Sequence, residues 1–331
     1  MKAMLLEKFG ADYSFVQREI EKPVPMPGQV LIKVAGSSFN PIDNKIATLG
    51  DQLGFAPQAP AILGMDVSGV VEEVGGGMSR FEPGDRVFGC AGGLGRLPGA
   101  LAEYMVADER LIAAAPRNME LADAAALPLV SITAWMGIFG KARVEPGETL
   151  LVHGGAGGVG HMAVQVGKYA GAEVYATVSD DTKAMVVESL GAIPINYKET
   201  SVSQYVGDYT YGDGFDVVFD TIGGDNLDQS FRAAIIDGDV VSTVTRSTHD
   251  LSIMHSKSLS LHVVFTLLPL ITGEGRSVFG TILSQVASLV DKDKLAVLLD
   301  EKRFDYTDIA EAHRYWESGN ALGKIVIEVA K

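Results

Sequence analysis

Apolar positions along the chain fall into two textures. Up to about residue 120 they form short runs cut by proline and glycine turns. Val30–Val34 follows Pro27-Gly28, Val67–Val74 runs into Gly75-Gly76-Gly77, and Arg86–Gly89 follows Pro83-Gly84-Asp85. Short β-rich runs with such punctuation predict a small barrel-like β domain. The texture changes near Leu121. Ala122–Ile138, rich in Ala, Leu and Met with Asp123 near its start, reads as a helix. Strands are then expected at 149–153, 173–178, 216–220, 239–244 and 259–265, with helices at 158–170, 181–190 and 226–235. Alternation of this length predicts an α/β fold with a doubly wound parallel sheet, helices covering both faces. Helices at 277–290 and 307–318 and a strand at 324–329 complete the pattern, with no internal repeat and no low-complexity segment.

One junction in this pattern carries chemistry. The run Thr149–His153 stops at Gly154-Gly155-Ala156-Gly157-Gly158-Val159-Gly160, and a helix follows at once. Gly155, Gly157 and Gly160 fit G-x-G-x-x-G. The first glycine is expected to make the tight turn, the second to admit a pyrophosphate, and the third to let helix and strand pack closely. The helix N-terminus offers free N–H groups and a positive dipole end to phosphate. Gly155, Ala156, Gly157, Gly158 and Val159 are therefore candidate cofactor-binding residues.

Composition narrows the partners. The 331 residues are 47% apolar and 21% charged, an ordinary globular balance and enough for two domains. A net charge of −15 with no local basic cluster argues against nucleic acid. The single cysteine, Cys90, excludes an internal disulfide and any multi-cysteine zinc site, and it fits a reducing cytoplasm. Met1–Leu6 lacks the apolar segment of a signal peptide. Leu259–Ile271 is broken by His262, Thr266 and Pro269 and is too short to cross a membrane.

The residues after the second expected strand choose between nucleotides. An NAD site places an acidic residue there to bind the ribose hydroxyls. Here the strand 173–178 is followed by Ser179, with Lys183 four residues on. A hydroxyl and a cation suit a 2′-phosphate, which favours NADPH. Asp180 and Asp181 admit two readings: they begin the next helix, where acidic residues are favourable, or they turn inward and repel the phosphate.

Several segments together resemble the medium-chain dehydrogenase/reductase superfamily, and within it the zinc-independent quinone oxidoreductase group that includes ζ-crystallin. They are Phe39–Lys45, Leu63–Val71, Phe81–Gly89, Leu127-Pro128, Thr133-Ala134-Trp135, the glycine run, Asn196-Tyr197, Phe219–Gly224 and Gly323–Val326. The resemblance spans nearly the whole chain. It implies a GroES-like catalytic domain (1–121 and 268–331) around an inserted Rossmann NADP-binding domain (122–267), assembled as a homodimer. It also implies that Ser179, Lys183 and Tyr197, with Lys324 near the C-terminus, hold the 2′-phosphate. Thr133 is placed close to the nicotinamide half, Thr221 belongs with the cofactor residues, and Asn40 lies near the substrate pocket. Zinc-dependent relatives carry a Cys in the Asn40 segment and a His-Glu pair after the glycine at 64. This chain has Met65-Asp66 there and lacks the four-cysteine lobe, so no zinc is expected.

Without a Lewis acid, oxidation of an unactivated alcohol is hard. Hydride transfer from NADPH to a quinone or an α,β-unsaturated carbonyl is easier, because conjugation delocalises the developing charge. An enoyl-thioester or alkene reductase, and a non-catalytic NADPH-binding regulatory protein, are the alternatives. Asn40 and Lys45 are the candidate donors to the substrate oxygen. Asn40 equally fits a turn before Pro41, and Lys45 a solvated side chain or a phosphate contact. Phe265 either walls the nicotinamide pocket or fills a core. Asp43 is expected to bond its own loop, and His153 to be a satisfied buried histidine.

Overall fold

The computed structural model describes residues 1–329. The chain divides into two units: Met1–Leu129 together with the segment from Leu267, and Val130–Thr266. The first division falls eight residues later than the expected 121/122 boundary. Helix α2 (Leu121–Ala124) is the reason. It packs on the first unit's long strand so closely that a Cβ on Gly36 would come 2.8 Å from the Ala122 carbonyl oxygen.

The first unit begins with β1 (Lys2–Lys8), β2 (Ser14–Glu19), β3 (Gln29–Ser38), α1 (Pro41–Leu49) and β4 (Ala61–Ile62). It continues through β5 (Asp66–Val74), β6 (Arg86–Cys90), β7 (Tyr104–Asp108) and β8 (Ile112–Ala114) to α2. Strand β3 organises it. One edge pairs with β5 along its length; on the other, β7 takes Gln29–Lys33. Burial alternates along β7, as in a strand with one face on a core, whereas β3, paired on both edges, is buried over most of its length.

Helix α3 (Pro128–Trp135) leads into the second unit and ends in a π-helical turn, Met136–Ala142. The single helix expected over 122–138 is thus broken. Pro128 lacks an N–H and disfavours helical geometry in the residue before it, so α2 stops and α3 starts at the proline. The stretch Leu121–Ala142 is long and apolar enough to cross a bilayer, yet 78% of its apolar window is buried inside the protein, as for a core helix.

The second unit holds β9 (Thr149–His153), α4 (Gly158–Ala170), β10 (Glu173–Val178), α5 (Asp181–Ser189), β11 (Ile193–Asn196) and α6 (Val202–Thr210). Then come β12 (Phe215–Asp220), α7 (Asn226–Ala233), β13 (Ala234–Ser242), α8 (Ser252–Lys257) and β14 (Ser260–Val263). The six strands are all parallel in the order β11-β10-β9-β12-β13-β14. The order reverses direction between β9 and β12, which is where ligands lie in such sheets. Side chains alternate across the sheet. Leu151, Tyr175 and Val218 share a core with Tyr205, Leu227 and Phe231 from α6 and α7. On the opposite face α4 lies so close that a Cβ on Gly167 would run into Leu150.

The chain then returns to the first unit through α9 (Leu268–Thr272), α10 (Arg276–Val290), β15 (Phe304–Asp305), α11 (Ile309–Glu317) and β16 (Val326–Glu328). β16 pairs antiparallel with Gly36–Ser38, the part of β3 that β7 leaves open.

Candidate functional site

At the glycine run, the left-handed residue is Gly154 (φ +76°), one before the fingerprint. Its N–H donates to the Thr177 hydroxyl at 3.0 Å, and the Gly155 N–H to the Thr177 carbonyl at 3.0 Å. The turn is thus hung from β10. Gly155, expected to make the turn, serves close packing instead: a Cβ there would lie 2.5 Å from Ala176 Cβ and 3.0 Å from Val187 Cγ2. A Cβ on Gly160 would strike the Gly154 carbonyl, so this glycine holds α4 against the turn.

Gly157 differs. The one atom within reach of a Cβ there is the Gly154 carbonyl oxygen at 3.2 Å, and the residue is exposed. It precedes α4, which no side chain caps; the first backbone bond runs from His161 N to Gly157 O. The N–H groups of Gly158, Val159 and Gly160 therefore lack intrahelical acceptors. An open approach to unpaired donors at a positive dipole end fits a pyrophosphate. Ala156 is buried, so only its backbone is available.

After β10, three side chains are bonded together. Ser179 Oγ donates to Asp180 Oδ2 at 2.7 Å, and Lys183 Nζ donates to Ser179 Oγ at 2.8 Å. Asp180 Oδ1 accepts from the Lys183 N–H at 3.0 Å, capping α5. The bonds from Ser179 and then the Lys183 backbone hold the Asp180 carboxyl down at about 2. Asp180 starts the helix and also turns towards the pair, its Oδ2 lying 3.3 Å from Lys183 Nζ. Tyr197, just past β11, is 56% exposed and lines a cavity beside the glycine turn.

Other expected residues are bound into the second unit. Thr133 Oγ1 bonds Thr266 Oγ1 at 2.8 Å, and Thr221 Oγ1 donates to the His153 carbonyl at 2.7 Å. Phe265 lies past the end of β14 and is 43% exposed, which removes the core-filling reading.

In the first unit the structure corrects two expectations at once. Asn40 is buried, and both ends of its amide are bonded within the protein. Nδ2 donates to Asp66 Oδ2 at 2.8 Å, and Oδ1 accepts from Lys324 Nζ at 2.6 Å. Its second amide hydrogen faces the Ser38 carbonyl in a long 3.5 Å contact, so burial and these partners turn the group away from a substrate carbonyl. Lys324 is 3% exposed, and its ammonium also donates to the Phe39 carbonyl at 2.8 Å. An ammonium buried among Phe39, Asn40 and Asp66 is not available to a 2′-phosphate. Lys45 is exposed on α1, the solvated alternative.

The residue that organises this cluster is Asp66, which sequence reasoning treated only as a missing ligand. Its carboxylate accepts from Ser38 Oγ at 2.9 Å, Asn40 Nδ2 and, through Oδ1, the Leu129 N–H at 2.9 Å. Lys324 Nζ lies 3.8 Å from Oδ2. Burial raises the Asp66 carboxyl and lowers the Lys324 ammonium, while their mutual attraction opposes both shifts. Asp43, wholly buried, accepts from the Asn40 N–H at 2.9 Å, as expected for a loop-bonding carboxylate. Burial, with Asp66 adding to it, pushes the Asp43 carboxyl up to about 7. The available signal was an aspartate inside the apolar run Met65–Val71.

This cluster occupies the segments where zinc-dependent relatives place metal ligands, and it does not fit zinc. The amide oxygen and the carboxylate are engaged by an ammonium, which a dication would have to displace. Among the described residues no three His, Cys, Asp or Glu side chains converge to hold a metal.

Comparisons with known proteins show similarity along nearly the whole chain. A zinc-binding dehydrogenase family model matches residues 190–327, and an alcohol dehydrogenase GroES-like domain model matches residues 26–117. A quinone oxidoreductase of Pongo abelii is 30% identical over 254 residues, 76% of this chain and 75% of that protein. A chloroplastic NADPH-dependent alkenal/one oxidoreductase of Arabidopsis thaliana is 30% identical over 336 residues, 99% of this chain and 79% of that protein. The crystal structure of an alcohol dehydrogenase superfamily protein from Novosphingobium aromaticivorans superposes with TM-score 0.95 at 40% identity, covering 100% of both chains.

Proposed function

Because this chain belongs to the medium-chain dehydrogenase/reductase superfamily, in its quinone oxidoreductase-like group, we propose that it is a zinc-independent, NADPH-dependent reductase of quinones or α,β-unsaturated carbonyls. The observation that carries the proposal is the Lys324 ammonium buried between Asn40 and Asp66 where metal-dependent relatives place ligands. When bound, NADPH supplies the hydride.

The protein's own residues bind and orient. The unpaired N–H groups of Gly158, Val159 and Gly160 receive the pyrophosphate. Ser179 and Lys183, joined by Tyr197, receive the 2′-phosphate, and Asp180 keeps the lysine and serine pre-positioned. Thr133, Thr221 and Phe265 belong to the nicotinamide side. With the Asn40 amide buried and bonded to Asp66 and Lys324, the acceptor must bring its own electrophilicity, which conjugated carbonyls and quinones do.

We also place the protein in the cytoplasm as a homodimer. Its one cysteine is buried and unpaired, and β14 leaves an unpaired strand edge with Val263 45% exposed.

The test is NADPH oxidation by purified protein with benzoquinone, phenanthrenequinone, a 2-alkenal and an enoyl thioester, with NADH alongside. Turnover of the first three that survives a chelator is the expected result. Activity confined to a simple alcohol with added zinc would overturn the proposal.

A further inference from the structure

Past the end of β13 the chain forms a loop, residues 243–251, that leads to α8. Three polar side chains meet there in series. Ser247 Oγ lies 2.5 Å from His249 Nε2, and His249 Nδ1 lies 3.0 Å from Oδ1 of Asp228, in the first turn of α7. Serine and histidine are two residues apart, but the aspartate is 21 positions away, so the series exists only because the loop folds back onto α7. Ser247 is exposed, whereas the His249 side chain is 8% exposed. The imidazole stands edge-on to Phe231, with ring centroids 6.3 Å apart and planes at 84°. The aromatic contact and the carboxylate together hold the ring.

The bonding order fixes the roles. A carboxylate only accepts, so His249 Nδ1 carries a proton in either charge state of the ring. In the neutral ring Nε2 then holds the lone pair, and the Ser247 hydroxyl donates to it. A carboxylate that orients an imidazole, whose other nitrogen takes a hydroxyl proton, is the arrangement that activates a serine. The N–H groups of residues 245–249 have no acceptor among the described residues, which leaves donors beside the hydroxyl.

We propose that Ser247 is a nucleophile towards activated carboxylic esters, with His249 as its base and Asp228 as the residue that positions the base. In the acylation step Ser247 Oγ bonds to the acyl carbon and the bond from that carbon to the leaving oxygen breaks. The hydroxyl proton passes to His249 Nε2 and from there to the leaving group. Water then adds to the acyl carbon, gives a proton to Nε2, and that proton returns to Ser247 Oγ as the carboxylic acid departs. The loop N–H groups donate to the oxyanion of each step. Because the hydroxyl stands in open solvent, this stabilisation is weak, and the ester must carry a good leaving group such as a phenolate. The chemistry uses no cofactor and is independent of the NADPH reading.

The experiment follows p-nitrophenol release from p-nitrophenyl acetate by the full chain without nucleotide, and maps the acetyl group by peptide mass spectrometry. Wild type should release p-nitrophenol at least about tenfold faster than Ser247→Ala and carry the acetyl group on Ser247. His249→Gln and Asp228→Asn, with melting midpoints within about 2 °C of wild type, should each slow the release about tenfold or more. Equal release by wild type and Ser247→Ala overturns the proposal, as does an acetyl group confined to lysines. Acylation of Ser247 at an unchanged rate in His249→Gln also overturns it, and marks the three side chains as a staple of the loop.

Discussion

Lys324 Nζ lies 2.6 Å from the Asn40 side-chain oxygen, joining two residues 284 positions apart in the chain. That bond closes the polar centre of the first unit. Removing the ammonium with Lys324→Met leaves Asp66 buried without its counter-charge, a loss of about 3 kcal/mol or more. Adding Asp66→Asn should recover part of it. Urea unfolding of both single variants and the double variant should give a coupling of at least about 1 kcal/mol. Strict additivity would show that the pair does not act as one.

Asp43 makes stability depend on pH with an unusual sign. Its carboxyl ionises near 7 in the fold against 3.8 as the ordinary value. The folded state therefore holds the proton more tightly, and the stabilisation is complete below about pH 4 and lost as pH rises through 7. Asp66 pushes the same way, and Lys324 opposes. Asp43→Asn cannot ionise, so its stability relative to wild type should improve from pH 5 to about pH 7 and level off above it. A difference that stays flat over that range would refute the assignment.

His313 acts in the opposite direction. It is fully buried beside Tyr13, Phe15 and Phe39, and burial pushes its imidazole down to about 3 from 6.5. The unfolded chain then takes up the extra proton as pH falls below 6.5, which destabilises the fold in acid. Relative to wild type, His313→Phe should gain about 2 kcal/mol between pH 7 and pH 5. Thermal melts at the two pH values measure it.

The glycines of the cofactor turn should separate into two behaviours. Gly160→Ala drives a Cβ into a backbone oxygen and should lower the unfolding midpoint sharply. Gly157→Ala meets only one atom, at 3.2 Å, and should fold while binding NADPH at least about tenfold more weakly, because the methyl group stands in the open approach. Melting curves and cofactor titration of both variants distinguish the roles; equal loss of stability would contradict them.

Lys183→Ala should weaken NADPH by about tenfold to a hundredfold and leave NADH within about twofold, since only the former presents a 2′-phosphate to the charge-assisted bond. Parallel titration with the two nucleotides is sufficient. Equal weakening would place Lys183 elsewhere.

Local periodicity made much of the second unit legible. Strands 149–153 and 173–178 and helix 158–170 coincide with β9, β10 and α4, because each is a clean apolar run or an amphipathic stretch with a glycine at its end. β11 was not legible: it is four residues long and contains Pro194, tolerated because the strand lies at the sheet edge. The expected helix through Pro128 erred because apolar content outweighed the proline. The roles of Asn40 and Lys324 were hidden for another reason. Each makes sense only beside the other and Asp66, and no window of sequence contains all three.

The pairing of β16 with β3 has a consequence for synthesis. Residues 130–266 are contiguous, so the second unit can complete its sheet while the ribosome is still at work. The first unit has to wait, holding Asp66 and Asn40 without their cation until Lys324 has been made. A chain cut before Lys324 would therefore leave a finished second unit tethered to a half that cannot close.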